Sequence, residues 1–396
     1  MKNQTVRTAL HFLLKIMRYG TNLLFPKDKH KIIFMSGPDD YVDNSRVLSD
    51  YILDNELGQY KVYWVFRSNK VEHVNPKVYP IYLDQKYGKL KYFFHTVTSK
   101  YLFSTHSAFE WACPYRQTFV CLWHGTMLKR IAYMQDPVAN KYYLQNCSYF
   151  ISPSTFYNKI VAQSFNYSPS KVLTTGYPRV DLLFQESDAL KKLDITHEKY
   201  SKIVLYMPTF RQAKSAAKGE TKLNVYKNDL IDFFDLKSLN LWNDYFKRLG
   251  ILMILKPHPS DKNIPPKISL SNIRVIFNEE MAENNVQLYH LLHYSDALIT
   301  DFSSVFCDYL VLNRPIGFMI QDIDEYSKTR GFVFDKPIEH MPGEIIMNSG
   351  EFKKFFADVA NGIDDTKEKR QLLMSQYIDF SDGQNCSRLL HCIGMF

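Results

Sequence analysis

At 396 residues the chain exceeds what one ordinary hydrophobic core serves and suits two domains. Its 45% hydrophobic, 23% charged and 15% aromatic residues, with only 15 glycines, exclude disordered, collagenous and low-complexity classes. A net charge of +8 favours anionic partners: phosphates, nucleic acid or an acidic membrane face.

The first predicted element is a helix in "TVRTALHFLLKIMRYGTNLLFPK", residues 5–27. Helical spacing gathers Leu10, Phe12, Leu13, Leu14 and Met17 on a broad apolar arc, with Arg7, His11, Lys15 and Arg18 on the other side. Lys2, Arg7, Lys15, Arg18, Lys27 and Lys29 face one acid, Asp28. Such a basic amphipathic helix suits the interface of an anionic membrane, so residues 1–28 read as a membrane-associating segment; an ordinary helix packed on the body is the alternative. Charges interrupt the apolar run and no small-residue cleavage site follows, which argues against a signal peptide. No run in the chain reaches the roughly 18 apolar residues of a membrane span.

Short apolar runs then alternate with helical patterns, the mark of α/β units around parallel sheets. Strands with their following turns are predicted at 31–37, 60–66, 77–83, 100–105, 117–125, 148–154 and 171–178, with helices at 43–57, 86–98 and 154–167. A basic helix is expected to begin behind His124. The charged stretch 185–202 reads as a boundary, giving Rossmann-like domains at 29–190 and 191–396. A second series of strands follows at 203–210, 251–259, 273–278, 296–301 and 315–320, with helices near 227–249, 283–294 and 303–313. Residues 351–396 read as helical and as crossing back to the first domain. The expected fold is thus α/β: two doubly wound domains facing each other across a cleft, with ligands at the carboxyl ends of the strands.

Nearly every unusual polar cluster falls just after a strand. They are His124-Gly125-Thr126, Tyr177-Pro178-Arg179, Thr209-Phe210-Arg211, Lys256-Pro257-His258-Pro259 and Asp301-Phe302-Ser303-Ser304. Each has a plain structural reading as a core histidine, a solvated arginine or a helix cap. Their shared position argues for one site. Backbone amides and hydroxyls at Ser303 and Ser304 suit phosphate oxygens, with capping by Asp301 or Ser303 as the alternative. Arg211 offers a fixed fork of donors, and His258 is held between two prolines.

No GxGxxG, Walker A, HExxH or GxSxG motif is present, which removes support for hydride transfer, P-loop chemistry and common hydrolases. The six cysteines (Cys113, Cys121, Cys147, Cys307, Cys386 and Cys392) form no CxxC pair and read as reduced, buried thiols. The acidic "QDIDEY" at 321–326 reads as a solvated loop in preference to a cation site.

With these residues in view, the chain resembles the CDP-glycerol glycerophosphotransferase family, the primases and polymerases of teichoic-acid and related capsule synthesis. The matching motifs are "DNSR" (43–46), "LWHGTMLKRI" (122–131), "ISPST" (151–155), "TTGYPRVDLL" (174–183), "LYMPTFR" (205–211), "LKPHP" (255–259), "ITDFSSVFCDYLVLNRPI" (299–316) and "DEYSKTRGFVFD" (324–335). They run in family order across about residues 31–340.

The resemblance implies a GT-B architecture and transfer of an alditol phosphate from CDP-glycerol, or another CDP-alditol, to a lipid-linked saccharide or growing polymer. It implies no required cofactor or metal, and a peripheral position on the cytoplasmic face of the bacterial membrane. His124 is then expected to be the base that activates the acceptor hydroxyl. His258 is expected as a second catalytic histidine at the donor pyrophosphate, beside Arg211, Thr209, Lys256, Ser303 and Ser304, with Asp301 and Asp308 in support. Asp43, Asn44, Arg46, Gly125, Thr126, Tyr177 and Arg179 are expected on the acceptor side.

Met127 stands where the family usually has proline after HGT, and Val180 where it has asparagine. The Gly-Lys-Ser stretch often preceding the DN motif is missing. Acceptor identity is therefore not inherited. The competing readings are a CDP-ribitol transferase, a nucleotide-sugar glycosyltransferase of the same fold, and a non-catalytic basic membrane-surface adaptor. Nucleic acid is not an expected partner, because the basic residues form no aromatic-interleaved stripe.

Overall fold

The computed structural model describes residues 2–37, 41–57, 59–138, 144, 146–209, 236–258 and 268–395. The chain divides into two compact units. The first comprises Met1–Gly125, Ile131–Asp181 and Asp379–Phe396, and the second Thr126–Arg130 and Leu182–Ile378.

The first unit is built on seven parallel strands: β1 (Asp28–Met35), β2 (Lys61–Phe66), β3 (Tyr79–Tyr82), β4 (Ser99–Ser104), β5 (Thr118–Cys121), β6 (Tyr149–Ser152) and β7 (Val172–Thr174). Their order across the sheet is β3-β2-β1-β4-β5-β6-β7. Ile32, Ile33 and Phe34 are consecutive and all fully buried, so this strand is covered on both faces, as a parallel sheet requires. Phe34 of β1 stacks on Trp64 of β2 at 5.4 Å and on Phe103 of β4 at 4.9 Å, tying the three central strands together. Helices α1 (Lys2–Leu24), α2 (Asp43–Asp54), α3 (Gly88–Thr98) and α4 (Thr155–Phe165) also belong to this unit.

The second unit repeats the plan with β8 (Lys202–Met207), β9 (Ile251–Leu255), β10 (Ile273–Val275), β11 (Ala297–Thr300), β12 (Ile316–Met319) and β13 (Glu344–Ile346), ordered β10-β9-β8-β11-β12-β13. Its helices are α5 (Ala189–Lys192), α6 (Leu236–Leu249), α7 (Asn278–Glu283), α8 (Leu288–His293), α9 (Val305–Tyr309), α10 (Ile323–Thr329), α11 (Ser349–Asn361) and α12 (Lys367–Tyr377). Leu239, Trp242 and Phe246 recur at helical spacing on α6 and are buried; Trp242 meets Phe352 of α11 at 5.0 Å and Phe246 meets Phe356 at 4.5 Å. The last helix, α13 (Asn385–Cys392), lies in the first unit, where the Asp181 carboxylate accepts from the Asn385 and Cys386 amides at 2.9 and 2.8 Å. That carboxylate satisfies amides a helix start leaves unpaired.

In both sheets the chain reverses its direction of travel once, between β1 and β4 and between β8 and β11. Loops leaving adjacent strands at such a switch point diverge and leave room for a ligand.

Several expectations are corrected. No helix starts behind Gly125: Thr126–Arg130 runs through the second unit instead. There the Leu128 carbonyl accepts from Val333 N at 2.9 Å, and Arg130 N donates to the Gly331 carbonyl at 3.1 Å. The helix expected at 303–313 is a five-residue α9 followed by a 3-10 turn at Leu310–Leu312, which Asn313 ends with φ 47°. The segment read as a loop at 321–326 begins α10, because Tyr326 buries against Phe302 (ring centroids 4.4 Å apart) and Phe332 (5.4 Å). Residues 227–235 of the expected helix lie outside the described residues. Strand β13 was not legible, since three residues carry too little periodicity.

No described helix is long and apolar enough to cross a membrane. Helix α1 sits on its unit in an inverted sense. Leu10, Phe12, Leu13 and Met17 are 52–62% exposed, whereas His11, Arg18 and Tyr19 are half-buried and Asn22 is buried. Arg18 Nε donates to the Glu110 carbonyl at 2.9 Å and Asn22 Nδ2 to the Trp111 carbonyl at 2.9 Å. The polar face thus holds the body and the apolar face looks outward.

Candidate active site

In the first unit the switch point collects His124, Asp43, Asn44 and Arg179. Asn44, fully buried, donates its side-chain amide to the carbonyls of Leu122 at 3.2 Å and Trp123 at 2.9 Å, and accepts from Arg179 N at 3.0 Å. One side chain therefore fixes the loop after β5 and the loop after β7 to the start of α2. Arg179 completes the frame: its guanidinium donates to Asp43 Oδ1 at 2.8 Å and to the His124 carbonyl at 3.0 Å.

The backbone at this point is strained. Asp43 has φ 62° and Trp123 φ 48°, conformations that cost non-glycine residues on the order of 1–3 kcal/mol each and persist only where surroundings enforce them. Gly125 follows at φ 152°, a region that favours glycine.

His124 is oriented by what it touches. Its Nδ1 lies 3.2 Å from the Thr105 carbonyl, which can only accept, so Nδ1 carries the proton and Nε2 keeps its lone pair. The ring stacks on His106 at 4.3 Å and 9° and tilts against Trp123 at 3.9 Å. Burial, and next the neighbouring His106, push the His124 imidazolium down to about 4, against the opposing pull of Asp43 and the Thr105 carbonyl. The ring is consequently a neutral acceptor at neutral pH. Its surface is still partly open.

In the second unit the expected residues leave three adjacent strands, β9, β8 and β11. Asp301, behind β11, accepts from Thr209 N at 3.0 and 2.9 Å and from the Thr209 hydroxyl at 2.9 Å, and both residues are buried. Asp301 is thus not a helix cap; it closes the switch point between β8 and β11. Lys256 is buried and donates to the Pro257 carbonyl at 3.3 Å and to the Asn278 side chain. His258 is exposed next to buried Pro257. Ser303 and Ser304 are half-exposed, and the Ser303 hydroxyl accepts from Val305 N at 3.4 Å. Because α9 has only five residues, its dipole is small and the hydroxyls matter more. Arg211 lies outside the described residues.

Other expected residues have different work. Arg46 turns to Asp50 at 3.4 Å and lies over the Tyr41 ring at 4.9 Å, within α2 and its approach. Asp308 accepts from the Tyr289 hydroxyl in the core of the second unit. Tyr177 is buried with Arg179 over its ring at 5.7 Å. The Thr126 hydroxyl is buried without a hydrogen-bond partner among the described residues.

Thr105 and His106 were missed in the sequence, where "FSTHSAF" shows no motif. Only their place after β4, beside β5, could have raised them. Among the described residues no group of three His, Cys, Asp or Glu side chains is placed to hold a metal ion. Five cysteines are buried and none forms a disulfide among the described residues; Cys392 is exposed, unlike the expectation for it.

Residues 17–394 match the family model described as CDP-glycerol:poly(glycerophosphate) glycerophosphotransferase. The chain is 30% identical to a teichoic acid poly(glycerol phosphate) polymerase of Bacillus spizizenii over 79% of each chain. It is 26% identical to a teichoic acid glycerol-phosphate transferase of Staphylococcus aureus, over 98% of this chain and 99% of the other. A solved structure of the wall teichoic acid polymerase TagF superposes with a TM-score of 0.72 at 24% identity, covering 99% of this chain and 97% of that one. The two parallel-sheet units therefore have the GT-B type of fold. A family match spanning nearly the whole chain makes the protein a member of the CDP-glycerol:poly(glycerophosphate) glycerophosphotransferase family.

Proposed function

We propose that the protein transfers glycerol phosphate from CDP-glycerol to a hydroxyl of a lipid-linked saccharide or growing polymer, releasing CMP. The observation that carries this reading is the His124 ring, held with Nδ1 on the Thr105 carbonyl and Nε2 unprotonated. The acceptor oxygen attacks the β-phosphorus of the donor. As the new P–O bond forms, Nε2 takes the hydroxyl proton and the bond to the CMP oxygen breaks. The Arg179–Asp43 pair and Asn44 hold the loop that carries the base. His258, Ser303, Ser304 and Arg211 are assigned to the donor diphosphate. Lys256 and the Thr209–Asp301 clamp brace the strand ends that lead into His258, Ser303 and Ser304. Charge on departing CMP is balanced by these side chains, so the reaction is expected to proceed without a metal or other cofactor.

Ribitol in the donor would present the same diphosphate, so the alditol is decided by assay. Purified protein is incubated with CDP-glycerol, CDP-ribitol or a UDP-sugar and a lipid-linked acceptor, with and without EDTA. CMP release from CDP-glycerol, unaffected by EDTA, is expected. CMP from CDP-ribitol alone would replace the donor, UDP release alone would replace the reaction, and no turnover with retained lipid binding would favour an adaptor.

The ring stacked on His124 supplies a second test. A His106→Asn variant removes a group that disfavours the imidazolium, so the protonated form of His124 gains ground. The acidic limb of the pH–rate profile is expected to move upward by about one unit or less, with little change at neutral pH. An unmoved limb would show that His106 does not tune the base.

The outward apolar arc of α1 supports contact with a membrane surface, which we place on the cytoplasmic face of the bacterial membrane.

A further inference from the structure

The amino-terminal ends of the strands in the first unit, away from His124, carry a polar cavity. It measures about 480 Å³, within the range of small-molecule sites. One wall is His11, Lys15, Arg18 and Tyr19 of α1; across from it stand Tyr115, ahead of β5, and Lys171, ahead of β7. Parallel strands place all their carboxyl ends on one edge of the sheet. The cavity is therefore separated from His124 by at least the four residues of β5, roughly 13 Å of extended chain. It cannot serve the reacting phosphate.

Its chemistry is that of an anion site. Among the described residues four basic side chains line it and no acid does. Lys15 and Lys171 are exposed, and Lys171 Nζ lies 5.3 Å from the Tyr167 ring. Arg18 is fixed at the wall through its bond to the Glu110 carbonyl, 2.9 Å long, while the Glu110 carboxylate accepts from the Tyr92 hydroxyl at 3.2 Å. Tyr19 and Tyr115 close the site with ring centroids 5.8 Å apart. Round the helix, Phe12 and Ile16 come next after Lys15 and Tyr19, and they are 62% and 53% exposed. Cationic groups bordered by outward apolar side chains match the two parts of a phospholipid, phosphate above and acyl chain below.

We propose that this cavity is a head-group site, which takes the phosphate of an anionic phospholipid and so fixes how α1 seats on the membrane. The proposal rests on the membrane-surface reading of α1.

Full-length protein is sedimented with three kinds of vesicle: phosphatidylcholine alone, phosphatidylcholine with phosphatidylglycerol, and phosphatidylcholine with a phosphate-free carboxylate lipid at the same surface charge. Wild type is expected to prefer phosphatidylglycerol to the carboxylate lipid. Lys15→Gln with Lys171→Gln should abolish that preference and weaken partition by about 30-fold. The control pair Lys199→Gln with Lys367→Gln, exposed lysines of the second unit, should keep it. Equal binding to the two anionic vesicles, or equal losses in the two pairs, would leave only general charge attraction and overturn the site.

Glycerol phosphate is titrated in parallel. Saturable binding lost in the Lys15/Lys171 pair, without any vesicle preference, would overturn the lipid as its source. The membrane reading fails separately: Leu13→Ser with Met17→Ser would leave vesicle binding intact. All three pairs alter exposed side chains, so wild-type melting is expected throughout.

Discussion

A His124→Ala variant is expected to bind CDP-glycerol with near wild-type affinity and to lose CMP release by about 10²–10⁴-fold, the usual contribution of a positioned general base. The donor-side residues belong to the second unit and keep their own framework, the Thr209–Asp301 clamp and the Lys256 contacts. Removing one imidazole in the first unit therefore takes away proton transfer and not donor recognition. Donor affinity by calorimetry and CMP release by single turnover separate the two. Added imidazole should restore part of the rate, because the space left by the ring accepts a free base. Wild-type turnover in the variant would refute the assignment, and loss of donor binding would move His124 to the donor side.

Asn44→Ala should be the most damaging single change outside the reacting groups. It removes the donor to the Leu122 and Trp123 carbonyls and the acceptor for Arg179 N, all in a fully buried position. Leaving buried polar groups unpaired costs roughly 1–3 kcal/mol each. A loss of about 2–4 kcal/mol is expected after relaxation, with a fall in melting temperature on the order of 5–12 °C. The strained φ of Trp123 loses its restraint, so His124 no longer points reliably and turnover falls as well.

Asn44→Asp tests the same idea by charge. A carboxylate keeps the bond from Arg179 N but sets an anion against two carbonyls, so its native pKa rises above the unfolded value. The variant is then most stable at low pH, where the carboxylic acid can donate, and loses stability as pH climbs from the unfolded pKa toward the native one. A melting temperature equal to wild type at neutral pH would refute the role of Asn44 as a double donor.

Much of the fold was legible because its strands are short, apolar and bounded by turn residues. All seven strands of the first sheet, and five of the six in the second, lie within or overlap the predicted runs. Buried parallel strands need no partner-specific signal to be seen; consecutive apolar residues suffice. The strand-end rule likewise pointed to His124, Thr209, His258 and Asp301, since a parallel sheet sends every carboxyl end to one edge. Arg179 was raised by the same rule, and family motifs added Asp43 and Asn44.

What the sequence by itself determined, then, was the fold type, the family and the edge of each sheet that bears polar residues, because these depend on local pattern and motif order. Tertiary structure alone decided which nitrogen of His124 holds the proton, through a carbonyl 19 residues away, and which loop, 78 residues on, the Asn44 side chain ties down. It also turned Asp301 from a cap into a clamp across 92 residues. It brought His106 against the base, and it set α1 with its apolar face outward. The periodicity of α1 named its two faces but not which one packs: Arg18 and Asn22 found carbonyl partners on the body, and satisfying buried polar groups decided the matter. Hydrogen-bond partners are settled by proximity in space, and distance along the chain carries no trace of it.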